Sequence, residues 1–271
     1  MNILDKIVAR KREEVTENKA KTSISILEQR EFFDRSCYSL REALTNSEKV
    51  GIIAEFKRRS PSKGILNADA EVAATTQAYV QAGASVLSVL SDVDFFMGCD
   101  ENVMKARRAN QVPILRKDFM IDEYQILEAK AMGADIILLI AAILSPEEIN
   151  RLGAFAHSLG MSVLLEVHNK QELLRSITPH CDAIGVNNRN LNDFTVSVET
   201  SFELAELIPN DFIKVSESAI SQAETIIDLK QAGYSGFLIG ETFMKTSDPG
   251  KACKELIDQV YKLEGLKGFK V

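Results

Sequence analysis

A chain of 271 residues, 45% hydrophobic and 26% charged, has globular composition and is long enough to bury a large core. Its formal net charge of −7 argues against a whole-molecule basic field for nucleic acid. Four dispersed cysteines with no CxxC pair, three histidines without ligand spacing and no apolar run near about 18 residues argue against a disulfide framework, a metal site and a membrane span. A reducing cytoplasm suits such a chain, and the charged opening MNILDKIVARKREEV is no signal peptide.

Residues 1–46 read as helices. Ile3, Leu4, Ile7 and Val8 recur at helical spacing with Lys and Arg between them, and Ile24, Ile26, Leu27, Leu40, Ala43 and Leu44 continue an amphipathic pattern. The stretch is too short to bury a core of its own, so it is expected to be an extension of a single domain covering 1–271. From Gly51 onward, short apolar runs alternate with longer amphipathic ones. The runs are Gly51–Phe56, Ser85–Leu90, Val112–Leu115, Asp135–Ile140, Ser162–Leu165, Asp182–Val186, Phe212–Val215 and Gly236–Ile239. They are rich in Val, Ile and Leu and do not strictly alternate, as parallel strands buried on both faces require. Helices are expected over Ala70–Ala82, Asp122–Met132, from Ser145-Pro146, over Ser221–Gln231 and over Asp248–Tyr261. Gly83, Gly133, Gly160 and Gly233 stand where a left-handed cap would end a helix just before a strand. Eight strands alternating with helices predict an α/β fold, a (β/α)8 TIM barrel with an N-terminal helical extension. The rival is an open doubly wound sheet, weakened by the absence of GxGxxG after the first run.

Function in such a barrel collects at the C-terminal ends of the strands. The first run leads into Glu55, Lys57 and Ser60, the second into Asp92, Phe95, Phe96 and Gly98, and the third into Arg116, Lys117, Asp118 and Phe119. The fourth ends in Ile140 and Ala141 without polar equipment. The fifth delivers Glu166 and His168, the sixth Asn187, Asn188 and Arg189, the seventh Ser216, Glu217 and Ser218, and the eighth Gly240 and Glu241. Two lysines facing carboxylates can run proton transfers. Phe96 and Phe119 can flank a flat apolar group, and the last two strand ends are the usual seat of a phosphate. Taken singly, Lys117 reads equally well as a solvated loop lysine and Asn188 and Arg189 as a helix-entry turn, while His168 reads better as a polar strand end than as a ligand. Arg58, Arg59 and Lys63 are expected to be partly solvated, and the loops after the first two runs, with Gly64 and Gly98, to be the moving parts.

The stretches ILDKIVARKREEV, IIAEFKRRSPSKG, SVLSVLSDVDFFMG, VPILRKDFMIDEYQI, DIILLIAAIL, LLEVHN, IGVNNRNL, VSESAI, FLIGETFM and SDPGKA together resemble the indole-3-glycerol phosphate synthases over nearly the whole chain. The resemblance implies a carboxy-lyase of tryptophan biosynthesis acting on a small phosphorylated substrate, without metal or organic cofactor. It implies no nucleic acid or membrane partner, and a monomer or weak homo-oligomer. It implies Lys117 as general acid and Glu166 as general base, with Glu55 and Lys57 supporting the acid and meeting the substrate carboxylate. Asn187 would hold a ribulose hydroxyl and Arg189 would order the polar network. Ser60, Glu217, Ser218, Gly240 and Glu241 fall among the substrate positions, and Phe96 and Phe119 pack around an anthranilate ring. Ala219 stands where SESGI is common. Its N–H persists, so the change is expected to be tolerated unless the site needs a positive φ. With the chain ending at Val271, no fused phosphoribosylanthranilate isomerase is expected. A barrel aldolase with a Schiff-base lysine and a non-catalytic phosphate-binding scaffold are the rival readings.

Overall fold

The computed structural model describes residues 3–190 and 194–265. Leu191 of the IGVNNRNL stretch and both ends of the expected 1–271 domain lie outside them. Eight parallel strands close on themselves: β1 (Ile52–Phe56), β2 (Val86–Leu90), β3 (Ile114–Lys117), β4 (Ile136–Ile140), β5 (Ser162–Val167), β6 (Ala183–Asn187), β7 (Ile213–Glu217) and β8 (Gly236–Ile239). Closure is explicit in the register, because β1 pairs with β2 at Ile53↔Val86 and with β8 at Ile52↔Phe237. That pairing removes the open-sheet alternative.

Three helices precede the barrel: α1 (Ile3–Lys21), α2 (Ile24–Glu28) and α3 (Leu40–Leu44). Around it run α4 (Val72–Ala82), α5 (Asp100–Ala109), α6 (Glu123–Met132), α7 (Pro146–Ser158), α8 (Lys170–Ser176), α9 (Glu199–Ala205), α10 (Ala223–Gln231), α11 (Glu241–Met244) and α12 (Pro249–Leu263). Gly83, Gly133, Gly160 and Gly233 all take positive φ, as the repeated helix-to-strand joint demands. Ser145 caps α7 in a reciprocal capping box with Glu148, and Pro146 follows at the first helical turn. No helix among the described residues is long and apolar enough to cross a membrane.

Two apolar layers make the core. One lies between strands and helices and includes Ile52, Ala54 and Phe56 of β1. The other fills the barrel with alternate residues, among them Ile53, Val86, Leu115, Leu164, Val215 and Leu238. Leu40 and Leu44 of α3 join this inner layer, so the extension helps to plug the barrel. Burying each of those leucines is worth about 1.5–3 kcal/mol. Side chains alternate along a strand, so the residues two places after the inner apolar ones also point inward. These are Glu55, Lys117, Glu166 and Glu217, and Asn187, four places after Ala183, continues the same alternation, which turns a hydrophobic pattern into a polar ring at one end.

Several strands run further than their apolar runs. β3, β5, β6 and β7 include Lys117, Glu166, Asn187 and Glu217 themselves. The ladder continues because the intervening residues still pack against the helix layer or bond to it. The register pairs Lys117 with Leu90, Glu166 with Gly185 and Asn187 with Glu217. The expected loop after β1 is partly ordered as a hairpin in which Arg59–Ser60 pairs with Gly64–Ile65.

Candidate active site

A cavity of about 640 Å³ opens at the C-terminal ends of the strands. Glu55, Lys57, Ser60, Phe96, Lys117, Phe119, Glu166, Asn187, Arg189, Glu217, Ser218, Gly240 and Glu241 all line it, so the residues to which the family resemblance gives a role reach one space. Ile3, Leu4 and Ile7 of α1 and Phe194, Val196 and Val198 after β6 line it too. The sequence alone gave no sign of these, because apolar residues at helical spacing ordinarily mark core.

Lys117 sits at the centre. Its Nζ donates to Glu166 Oε2 at 2.7 Å and to Glu217 Oε2 at 3.0 Å. Burial disfavours its charge, but Glu166, Glu217 and Glu55 together outweigh that and hold the ammonium well above its ordinary pKa. Burial likewise opposes the charge on Glu166, yet Lys117 and His168 keep its carboxyl well below the usual range. Glu217 goes the other way. Burial, reinforced by the charges of Glu166 and Glu55 and only partly offset by Lys117, pushes it up to about 7. Its Oε1 has no hydrogen-bond partner among the described residues. Three carboxylates therefore share two lysines, the second being Lys57, which donates to Glu55 Oε2.

Two glycines make room for this crowding. A Cβ on Gly240 would collide with Glu55 Oε2, and one on Gly185 with Glu217 Oε1. The GVNN and IGET stretches thus carry glycine because carboxylates approach the neighbouring strand backbone.

A second chain of contacts runs toward solvent. Asn187 Nδ2 donates to Glu166 Oε1 at 3.2 Å, and Asn187 Oδ1 accepts from the Arg189 backbone N–H at 3.0 Å. Arg189 Nη2 donates to Glu241 Oε2 at 3.2 Å, and Lys63 Nζ lies 3.9 Å from the other oxygen of Glu241. Near them Ser60 Oγ accepts from the Lys63 N–H. Ser218 and Ala219 take φ of 67° and 59°, both left-handed, so the condition raised by Ala219 is met and this turn does need a positive φ. The Phe96 and Phe119 rings lie 6.0 Å apart, tilted by 40°. Asp92 Oδ1 accepts from the N–H of Phe96 at 3.1 Å, and Asp118 Oδ1 from that of Phe119 at 2.8 Å.

Not everything at the strand ends converges. Arg116 is fully buried and points into the helix layer, where it donates to Gln125 O, Glu128, Ser91 and Asp118. Asn188 turns outward as well, bonding to Ser216, Ser201 and the Ser218 carbonyl. Both follow from the two-residue alternation of a strand, which a reading of every polar residue after an apolar run overlooks. Arg58 is half-buried, stacked over Phe56 and donating to Ala70 O, while Arg59 and Lys63 are exposed.

The profile of the family described as indole-3-glycerol phosphate synthase matches residues 4–256. The indole-3-glycerol phosphate synthase of Bacteroides thetaiotaomicron is 47% identical over 96% of this chain and 99% of its own length. That of Polynucleobacter asymbioticus is 42% identical over 94% and 98% respectively. Among solved structures, thiamine phosphate pyrophosphorylase from Pyrococcus furiosus superposes with a TM-score of 0.62 at 17% identity, covering 83% of this chain and 99% of its own. A mandelate oxidase mutant gives 0.62 at 14% identity, covering 80% of this chain and 74% of its own, and the two likenesses are of fold alone. A profile match across nearly the whole chain, near-complete relatives above 40% identity and a closed barrel with the polar ring at its C-terminal mouth lead to one conclusion: the chain belongs to the indole-3-glycerol phosphate synthase family.

Proposed function

We propose that Lys117 and Glu166 carry the reaction of this family as acid and base, within one barrel domain whose residues 1–46 form an extension. The activity is a carboxy-lyase step of tryptophan biosynthesis, in which 1-(2-carboxyphenylamino)-1-deoxyribulose 5-phosphate loses CO2 and water to become indole-3-glycerol phosphate. The ring carbon bearing the carboxylate bonds to the ribulose carbonyl carbon while Lys117 gives its proton to the carbonyl oxygen. The carboxylate leaves as CO2, and its bonding pair returns to the ring. Lys117, reprotonated through its contact with Glu217, gives a second proton to the new hydroxyl, which leaves as water as Glu166 removes a proton from the neighbouring carbon and the indole double bond forms.

The observation that carries this reading is the placement of Lys117 Nζ between Glu166 and Glu217 on the wall of the cavity. A lysine held charged by two carboxylates keeps the proton an acid must give. Glu217, close to half-protonated near neutrality, is the partner that can release it. Glu55 and Lys57 form a second pair suited to the substrate carboxylate. Ser60, the Ser218 turn, Gly240 and the Arg189–Glu241–Lys63 contacts make the polar end for the phosphate. The Phe96 and Phe119 rings suit the flat anthranilate.

The test is turnover of the carboxyphenylamino-deoxyribulose phosphate followed by indole fluorescence, with Lys117→Ala and Glu166→Gln beside the wild type. Each folded variant is expected to lose at least about 10²-fold in kcat. Turnover surviving Lys117→Ala would move the acid to Lys57. A borohydride-trapped adduct on Lys117 would instead favour Schiff-base chemistry.

A further inference from the structure

His168 lies two residues past Glu166, behind it rather than in the cavity, whose lining does not include it. Its side chain is 9% exposed and sits between two carboxylates. Nε2 is 3.3 Å from Glu166 Oε1, an ion-pair contact too poorly aligned to count as a hydrogen bond. Nδ1 is 3.0 Å from Glu172 Oε2 on α8. Glu172 is itself fixed at both oxygens, because Oε2 also accepts the His168 backbone N–H at 2.8 Å and Oε1 accepts Asn169 Nδ2 at 2.8 Å. Asn169 in turn caps α8 through the Glu172 N–H.

An imidazole facing a carboxylate oxygen at each nitrogen satisfies both only when both nitrogens carry hydrogen, that is, as the imidazolium. The charged and titratable groups around it are Glu166 at the end of β5, Glu172 on α8, and, beyond Glu166, Lys117 from β3 and Glu217 from β7. Burial alone would lower the pKa of His168, but the two carboxylates overcome it and push it up to about 9. Glu166 thus has two cations: Lys117, which gives up its proton during the reaction, and His168, which keeps its own.

We propose that His168 and Glu172 are positioning residues for the base: Glu172 holds the imidazolium against Glu166, which keeps that carboxylate ionised and aimed into the cavity while Lys117 is discharged. The proposal rests on Glu166 being the base. In sequence its trace is the spacing of four between His168 and Glu172 across the β5–α8 joint.

The test is the pH–rate profile of the full chain in the ring-closing assay for wild type, His168→Asn, Glu172→Gln and Glu166→Gln, with thermal melts to establish folding. His168→Asn is expected to lower kcat about 10–100-fold while KM stays within about threefold, as a misaimed group produces. Its acid limb moves to higher pH, because Glu166 has lost a neighbouring cation. Glu172→Gln keeps the ring but lowers its pKa, so its alkaline limb moves down by about one unit or more. With three histidines in the chain, the 15N imidazole spectrum of the wild type reads the same point directly, and His168 is expected to be doubly protonated at pH 7. Superimposable profiles with unchanged kcat in both variants, or a neutral His168 in the wild type at pH 7, would overturn the proposal. Should His168→Asn not fold, the wild-type spectrum and the Glu172→Gln profile decide it. Wild-type turnover by Glu166→Gln would remove the base assignment itself. A dead Glu166→Gln beside unmoved His168→Asn and Glu172→Gln profiles would remove only this proposal.

Discussion

Ala219 shows what a single residue can conceal. The sequence supplies an alanine whose N–H is as good a donor as that of glycine. The structure adds that the position is left-handed, with Ser218 before it left-handed too. Holding L-residues there costs about 1–2 kcal/mol each, strain kept in place by the Asn188 bond to the Ser218 carbonyl. Ala219→Gly is therefore expected to raise the free energy of unfolding by roughly 0.5–1 kcal/mol, the relief of strain less the extra freedom glycine brings to the unfolded chain. Urea melts followed by circular dichroism measure it, and a loss of stability would show that the turn is not left-handed in solution. The same comparison separates Lys117 and Asp118, which line the cavity, from Arg116, which does not. The LRKDF stretch places Arg116, Lys117 and Asp118 side by side, and only the alternation of a strand already in register sends Lys117 inward and Arg116 outward.

Among the elements, α1 carries the larger surprise. Its buried face is Ile7, Lys11 and Val15, so a lysine occupies the middle of an apolar stripe. Lys11 Nζ lies 2.9 Å from Asp118 and 3.1 Å from Asp92, and it also meets Glu14. Those two aspartates hold the backbone N–H groups of Phe119 and Phe96, so the extension fixes both rings through one ammonium. Lys11→Met would take from buried Asp92 its cation and leave Asp118 with Arg116 alone. It is expected to cost about 3–5 kcal/mol of stability and, in the protein that remains folded, to raise KM more than it lowers kcat. Steady-state kinetics with a parallel melt test this, and an unchanged KM would detach α1 from the aromatic pair. Element positions themselves were largely readable. Apolar runs gave the eight strands and glycine caps gave the helix ends. Helices α5, α8, α9 and α11 escaped because their sequences are polar or very short; α8, KQELLRS, buries only Leu173 and Ser176. The role of Lys11 had no sequence signal, since a lysine among helical apolar residues reads as the solvated face.

For the whole molecule, the barrel treats charge oppositely at its two ends. At the closed end, Asp135 is fully buried and fully paired. It accepts from Arg35, from Arg107 at 2.9 Å, and from the N–H groups of Tyr38 and Ile114 at 2.8 Å each. At the open end, Glu217 is buried beside two other carboxylates with one oxygen unpartnered. Removing charge should therefore have opposite signs at the two ends. Asp135→Asn breaks a satisfied buried cluster and is expected to cost about 3 kcal/mol or more, lowering Tm by at least about 6 °C and leaving kcat/KM of the folded protein unchanged. Glu217→Gln should abolish most turnover yet raise stability by on the order of 1 kcal/mol at pH 7. Its folded pKa, near 7, lies above the ordinary value of 4.5, so ionisation of Glu217 costs stability progressively between those limits. The advantage of Glu217→Gln should accordingly vanish below about pH 4.5 and be fully present above pH 7. Melts of both variants across that range read the two signs directly. Destabilisation by Glu217→Gln at neutral pH would mean that the Lys117 contact outweighs the crowding of carboxylates, and that the mouth of the barrel, like its base, is built for stability.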